Sequence, residues 1–253
     1  MRCVSWNVNG IRAVLRKGIA PWAAVDGADV VGLQETKASP EQLDEGTLSP
    51  EGWLSYWSSA EKKGYSGTAI YCRKEPDEVM GGIGVEEFDA EGRLVALRYD
   101  KLVVASAYFP NSQDKGKRLD YKLGFCAAVE KWLAKLKRKK YQVLLMGDYN
   151  IAHEAIDLAR PKQNEDSPGY LPEERAWFSR YLKLGYRDVF RERNPDLEAA
   201  YTWWSFRSNA RARNVGWRID YATTTAELGD SVKEIVHHPD ILGSDHCPLH
   251  VDL

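Results

Sequence analysis

The 253-residue sequence has no apolar run approaching the roughly 20 residues needed to cross a bilayer. Its first residues, MRCVSWNVNG, lack the charged-then-apolar pattern and the small-residue cleavage site of a secretory signal. Cysteine is sparse: Cys3, Cys72, Cys126 and Cys247 are scattered, with no Cys-x-x-Cys pair. That excludes a disulfide scaffold and counts against zinc binding; reduced, mostly buried thiols are expected. There is no excess of positive charge, since the formal net charge is -2. This counts mildly against a nucleic-acid-binding domain, although a local basic rim can still hold phosphates on a mildly acidic protein. Repeats, low-complexity tracts and long linkers are also missing.

The chain does have enough apolar content, 43% against 28% charged, to bury a sizeable core as a globular protein. Nine tryptophans are many for this length; most should be core, but the surplus suits a pocket that packs against sugars or bases. Strand-like runs rich in Val, Ile and Tyr fall at Arg2–Trp6, Val30–Leu33, Thr68–Tyr71, Leu94–Tyr99, Leu102–Tyr108, Gln142–Met146, Ile219–Thr223, Val232–Val236 and Pro248–Val251. Helical patterns cover Lys117–Lys139, with a basic last turn, and Pro172–Leu184, which opens Pro-Glu-Glu. Strands alternate with helices in places and follow one another in others, so a mixed α/β layered domain is expected.

Polar residues cluster just after the strand-like runs: Asn7 and Asn9, Glu35, Tyr108 and Asn111, Asp148 and Asn150, and Asp245 with His246. Strand ends are where a rigid scaffold presents functional groups, so these distant places can converge on one edge. Asp148 and Asn150, two apart, would face the same side in extended geometry; an Asx turn closing the strand is the plainer alternative. Glu35 is a hard oxygen donor suited to magnesium, or else merely an acid opening a helical turn. His153, His237, His238 and His250 carry no such context and read as structural. The run Lys135–Lys140 reads as a solvated helix end.

The blocks Trp-Asn-Val-Asn-Gly (6–10), Gly-Leu-Gln-Glu-Thr-Lys (32–37), Tyr-Phe-Pro-Asn (108–111), Gly-Asp-Tyr-Asn (147–150), Gly-Trp-Arg-Ile-Asp-Tyr (216–221) and Gly-Ser-Asp-His-Cys-Pro (243–248) stand in this order. In order, spacing and identity they resemble the exonuclease III and AP endonuclease family, within the endonuclease/exonuclease/phosphatase superfamily that includes DNase I. One block would be weak; six in register across nearly the whole chain are specific.

That resemblance implies an α/β fold, a four-layered DNase I-like αββα sandwich, as one domain over residues 1–253. It implies magnesium-dependent hydrolysis of duplex DNA on the 5′ side of abasic sites, with secondary 3′-to-5′ exonuclease and 3′-end cleaning. Magnesium, with manganese as a substitute, falls to Glu35, with Asn7, Asn9 and Asp245 completing or steering its shell. Asp148 orients or deprotonates the attacking water, Asn150 and His246 contact phosphate, Asp220 fixes the His246 tautomer, and Tyr108 assists the transition state or leaving group. Asn111, Asn164, Arg12, Lys37, Tyr65 and Arg211 are expected at DNA phosphates, with Lys62, Lys63 and Arg213 as further basic residues nearby. Ser167 stands where some relatives carry a second asparagine. Trp203 and Trp217 would wall the pocket for an extruded abasic sugar, which costs little to unstack; Trp204 reads as core. The partner is double-stranded DNA with abasic sites, without a membrane. A monomer is expected, placed in the cytoplasm beside the nucleoid if prokaryotic. A lipid or inositide phosphodiesterase and a catalytically dead DNA-binding module are the rivals. No apolar membrane loop favours the first, and the intact carboxylates disfavour the second.

Overall fold

A computed structural model describes all 253 residues. Twelve strands form two six-stranded mixed sheets. The first sheet has the order β11 (Glu234–His237), β12 (Leu249–Asp252), β1 (Arg2–Asn7), β2 (Val30–Gln34), β4 (Thr68–Cys72) and β3 (Leu54–Ser58). The second has β5 (Glu78–Gly81), β6 (Leu94–Tyr99), β7 (Leu102–Tyr108), β8 (Gln142–Asp148), β10 (Asp220–Thr225) and β9 (Tyr186–Asp188). Each sheet has one parallel pair at its centre, β1 with β2 and β7 with β8.

Period-two alternation sorts the side chains into layers. Cys3, Val30 and Ile70 meet Val95, Val104, Leu144 and Met146 between the sheets. On the outer face of the first sheet, Val4, Trp6, Val31 and Leu33 pack under α1 (Ile11–Leu15), and the Tyr71 hydroxyl donates to the Thr47 carbonyl in α2 (Glu45–Leu48). The second sheet's outer face packs against α3 (Glu86–Asp89), α4 (Leu119–Arg138) and α5 (Pro172–Lys183) through Phe88, Phe125, Leu133, Trp177 and Tyr181. Near β9, β10 and β11, α6 (Val189–Arg193) and α7 (Ala226–Ser231) contribute Val189, Phe190 and Leu228 to the inter-sheet core. The layering is the expected αββα sandwich.

Every strand expected from sequence is present within two residues at either end. The missed strands β3, β5 and β9 are sheet edges, two of them with exposed residues that carry no clean alternation. All four cysteines are free and buried. No helix is long and apolar enough to cross a membrane.

The sheets approach closely beneath the strand ends that matter. A Cβ on Gly32 would lie 2.9 Å from that of Ser106. Gln34 Nε2 donates to Ser106 Oγ (2.9 Å) and Ser5 Oγ (3.1 Å), and Ser106 Oγ donates to the Leu33 carbonyl (3.0 Å). This buried polar stitch fixes the first sheet over the second one residue before Glu35.

Candidate active site

A cleft of about 520 Å³ opens where the strand ends converge. It is lined by Asn9, Glu35, Lys37, Tyr108, Asn111, Asp148, Asn150, Asn164, Trp203, Trp217, Asp245 and His246, all sequence candidates, and also by Gln113, Ser167, Pro168, Gly169 and Ile219. Asn9, Glu35, Lys37 and Asn150 have φ between 47° and 51°. This left-handed region is strained for non-glycine residues, and such strain tends to persist where surrounding structure enforces it. Each residue sits where the chain turns sharply off a strand, so the side chain is thrown into the cleft.

At the floor, Asp148 ends β8 after Gly147, whose φ of 148° and contact with the Ala107 carbonyl leave no room for a Cβ. Asp148 Oδ1 accepts from the Asn150 backbone N–H (2.7 Å), and Oδ2 accepts from Asn150 Nδ2 (3.2 Å) and Asn7 Nδ2 (2.9 Å). Asp148 and Asn150 therefore meet through an Asx turn, not through extended geometry. The turn and the chemical site are one structure. Asn150 Oδ1 accepts from Asn111 Nδ2 (3.0 Å).

His246 Nδ1 donates to Asp220 Oδ2 (2.8 Å), and its Nε2 lies 3.9 Å from Asp148 Oδ2. Thr202 Oγ1 holds the same Asp220 oxygen (2.7 Å), and Trp6 Nε1 donates to the His246 carbonyl (3.1 Å), tying the first sequence block to the last. Burial opposes a charge on His246, but the charge and hydrogen bond of Asp220, helped by Asp148 and Asp245, win and push its pKa up to about 10. Burial pushes the Asp148 carboxyl up despite the opposing charge of His246, and Asp220 adds to the rise. The Tyr108 hydroxyl is held well above its ordinary value by burial and by the carboxylates of Glu35 and Asp148.

The rim is looser. The Tyr108 hydroxyl donates to Glu35 Oε1, and Lys37 Nζ lies 3.0 Å from Glu35 Oε2 while donating to Asn9 Oδ1. Asn9 Nδ2 donates to Asp245 Oδ1 (2.8 Å). Glu35, Asn9 and Asp245 are oxygen donors, and an ammonium already rests among the first two. That chemistry fits a hard divalent cation. Asn7 does not fit as a direct ligand: it is almost fully buried, its amide nitrogen is spent on Asp148, and its Oδ1 accepts from the Asn9 backbone N–H (2.9 Å). It steers Asp148 instead.

Trp203 and Trp217 form the wall. Their backbones exchange two hydrogen bonds of 2.9 Å, their rings meet edge to face at 6.3 Å, and Trp203 Nε1 donates to Asp245 Oδ2 (3.1 Å). Beside Trp217, Arg218 is fully buried between Asp157 and Asp188, which pins the wall from behind. Trp204 is core, as expected.

Two of the residues expected at DNA, Arg211 and Tyr65, do not line the cleft. Arg211 is clamped by the carbonyls of Ser244 (2.9 Å), Pro239 (2.8 Å) and Ile241 (2.7 Å) and stacks on Trp204, so it braces the loop carrying Asp245 and His246. The Tyr65 hydroxyl is occupied by Arg93 Nη2 (3.1 Å) and Arg118 Nη1 (2.6 Å) behind Tyr108. Arg12 is exposed beside the cleft, its guanidinium donating to the Lys37 carbonyl (3.1 Å). Asn164 lines the cleft, with its amide donating to the Arg160 carbonyl (3.0 Å) and accepting from Ser167 Oγ (3.1 Å).

Three supporting residues escaped sequence reasoning. Arg93, buried, donates to the Tyr108 carbonyl (3.0 Å) and lies over its ring. Lys122 on α4 and Glu174 on α5 form a fully buried ion pair (2.7 Å). Lys122 also donates to the Asn150 carbonyl, and Glu174 accepts from the backbone N–H groups of Gly169 (2.7 Å) and Leu171 (3.0 Å) and from Ser112 Oγ (2.8 Å). Two helices and three cleft loops are thus joined at one point.

The sequence model of the Endonuclease/Exonuclease/phosphatase family matches residues 4–246. The chain belongs to this family. An exodeoxyribonuclease of Bacillus subtilis is 45% identical over 250 residues, covering 98% of each chain. A DNA-(apurinic or apyrimidinic site) endonuclease of Dictyostelium discoideum is 39% identical, over 99% of this chain and 70% of that protein. Among solved structures, an AP endonuclease from Archaeoglobus fulgidus superposes with a TM-score of 0.90 at 27% identity, covering 100% of this chain and 99% of that one. The resemblance read from the six blocks holds, and with it the sandwich fold. In this family setting the cleft and its strand-end residues are the place to look for phosphodiester chemistry.

Proposed function

We propose that this chain is a DNA repair hydrolase that cuts the backbone on the 5′ side of abasic sites in duplex DNA and leaves a 3′-hydroxyl. In this reading the chain works as one domain. The observation that carries it is the joining, in one cleft, of the Asp148–Asn150–Asp220–His246 network to the Glu35–Tyr108 pair beneath the Trp203–Trp217 wall. The exodeoxyribonuclease and AP endonuclease names of the relatives support the substrate class.

Asp148 takes the proton of the attacking water, because its two oxygens are aimed by Asn7 and Asn150 and its raised pKa makes it a competent base near neutrality. His246 keeps its proton on Nε2 and donates it as a hydrogen bond to a phosphate oxygen; Asp220 holds the ring in that orientation. Asn150 spends its amide donors on the Phe109 carbonyl (3.0 Å) and Asp148 Oδ2 (3.2 Å), and would reach a phosphate oxygen by releasing the longer of the two. Tyr108 stands beside Glu35, and its hydroxyl, which donates to that carboxylate, would turn to the developing charge or the leaving oxygen. Glu35, with Asn9 and Asp245 beside it, would hold magnesium, which neutralises phosphoryl charge and assists the leaving oxygen. Trp203 and Trp217 admit a sugar without a base, since such a nucleotide is cheap to unstack and a full base would meet the indoles. Removal of 3′-terminal nucleotides and blocking groups uses the same groups on a DNA end.

The test is cleavage of a duplex oligonucleotide carrying one abasic analogue, with magnesium and with EDTA. Magnesium-dependent incision immediately 5′ to the lesion is expected. Well-folded protein that leaves the duplex intact sinks the assignment and turns attention to lipid and inositide phosphodiesters.

A further inference from the structure

At the other end of β1 from Asn7, a second group of polar side chains gathers on the outer face of the first sheet. Glu234 on β11 is paired directly with Asp252 on β12, and Asp252 with Arg2 on β1. His250, two residues before Asp252, shares its face of the strand. One ligand atom from each of Glu234, His250 and Asp252 lies within 4.8 Å of the others.

The histidine is the unusual member. His250 is only 4% exposed, and its Nε2 is buried without a hydrogen-bond partner. The atom faces the Glu234 carboxylate at 3.6 Å, too far for a hydrogen bond. Its other nitrogen, Nδ1, is 2.7 Å from His238 Nε2. A buried polar atom left unmatched calls for a partner, and this one points into a gap between two carboxylates.

We propose that Glu234, His250 and Asp252 form a second metal site, for a first-row divalent transition ion of the zinc type. One imidazole with two carboxylates suits such ions better than magnesium or calcium, which favour all-oxygen shells. Three protein ligands leave a fourth position for water, reached past the exposed Glu234 side chain. The surroundings match what metal ligands need. With its proton on Nδ1, His250 would donate to His238 Nε2 (2.7 Å) and keep the Nε2 lone pair free for the ion. Arg2 grips Asp252 through Nε (2.8 Å) and Nη2 (2.7 Å) and orients it without using every lone pair. The ligand atoms are farther apart than in a closed tetrahedral shell, and the exposed Glu234 side chain is the one free to swing inward. The scatter of cysteines counted against zinc, but no thiol is needed here. An ion at this point would bind β11 to β12 and, through Arg2, to β1.

The test uses the full chain, stripped with chelator and titrated with zinc against a chromophoric competitor. Wild type should take up one more zinc per chain than Glu234→Ala, whose side chain is exposed enough for the fold to survive. On ¹⁵N-histidine spectra, zinc should move the His250 Nε2 resonance in wild type and in Glu35→Gln, where the cleft is altered, but not in Glu234→Ala. His238→Ala should weaken zinc binding about 10–100-fold. Equal zinc uptake by wild type and Glu234→Ala, or a His250 resonance that ignores zinc, overturns the proposal and leaves the cluster as a packed strand edge.

Discussion

On the floor of the cleft, Asp148, Asp220 and His246 are no more than 5% exposed, whereas at the rim the side chains of Glu35 and Lys37 keep 19% and 35% of their surface. The floor groups are held by dedicated partners: Asn7, the Asn150 N–H, Thr202 and Trp6. The rim pairs a carboxylate with a flexible ammonium. Burial makes the floor's geometry and protonation a property of the fold, ready before substrate arrives. Exposure makes the rim cheaper to rearrange, so that in the proposed reaction Lys37 would give way to a cation without the cost of rebuilding a core.

Substitutions should separate the two regions. Asp148→Asn keeps the shape of the floor and removes the proposed base; incision of abasic duplex should fall about 10²–10⁴-fold. A loss below tenfold in folded protein would move the chemistry elsewhere. Glu174→Gln strands the Lys122 charge inside the protein and should cost about 3–5 kcal/mol in urea unfolding. Glu35→Gln at the rim should cost about 0–1 kcal/mol by the same measurement. Comparable losses at both positions would erase the distinction between the buried support behind the floor and the rim.

Protonation offers a third contrast. The His246 pKa is raised from 6.5 to about 10, so the stability it contributes is complete below pH 6.5 and is lost as pH rises through about 10. NMR titration of metal-free protein should find the imidazole still charged at pH 8. Asp220→Asn should lower that pKa and remove this part of the alkaline destabilisation. A wild-type midpoint near 6.5 would mean that Asp220 does not govern the ring. The smallest effect is expected at Lys37→Gln. Losing a half-exposed ammonium worth about 0–1 kcal/mol should lower the magnesium concentration for half-maximal incision by a few-fold at most. A rise instead would make Lys37 a helper of the cation and not its competitor.

That these residues share one cleft was legible in the sequence because each sits in a short block at a strand end. A block such as Gly-Asp-Tyr-Asn carries its own turn chemistry together with its reactive groups. Lys122 was not legible: on an amphipathic helix a lysine reads as solvent-facing, and only Glu174, 52 residues away, explains its burial. Arg93 hides similarly at the head of an apolar strand. Arg211 is expected at DNA from its loop position and Tyr65 from the family resemblance, but sequence does not show which carbonyls or guanidiniums hold their side chains in the free protein. The missed strands β3, β5 and β9 depend on pairing with a neighbour more than on their own pattern.

The left-handed turns at Asn9, Glu35, Lys37 and Asn150 carry a warning for laboratory evolution. Glycine relieves such a backbone at once, and at Glu35 or Lys37 the relief should be worth about 1 kcal/mol. A library selected only for heat resistance would therefore be drawn toward glycine at these positions, and would arrive at robust proteins with an empty rim.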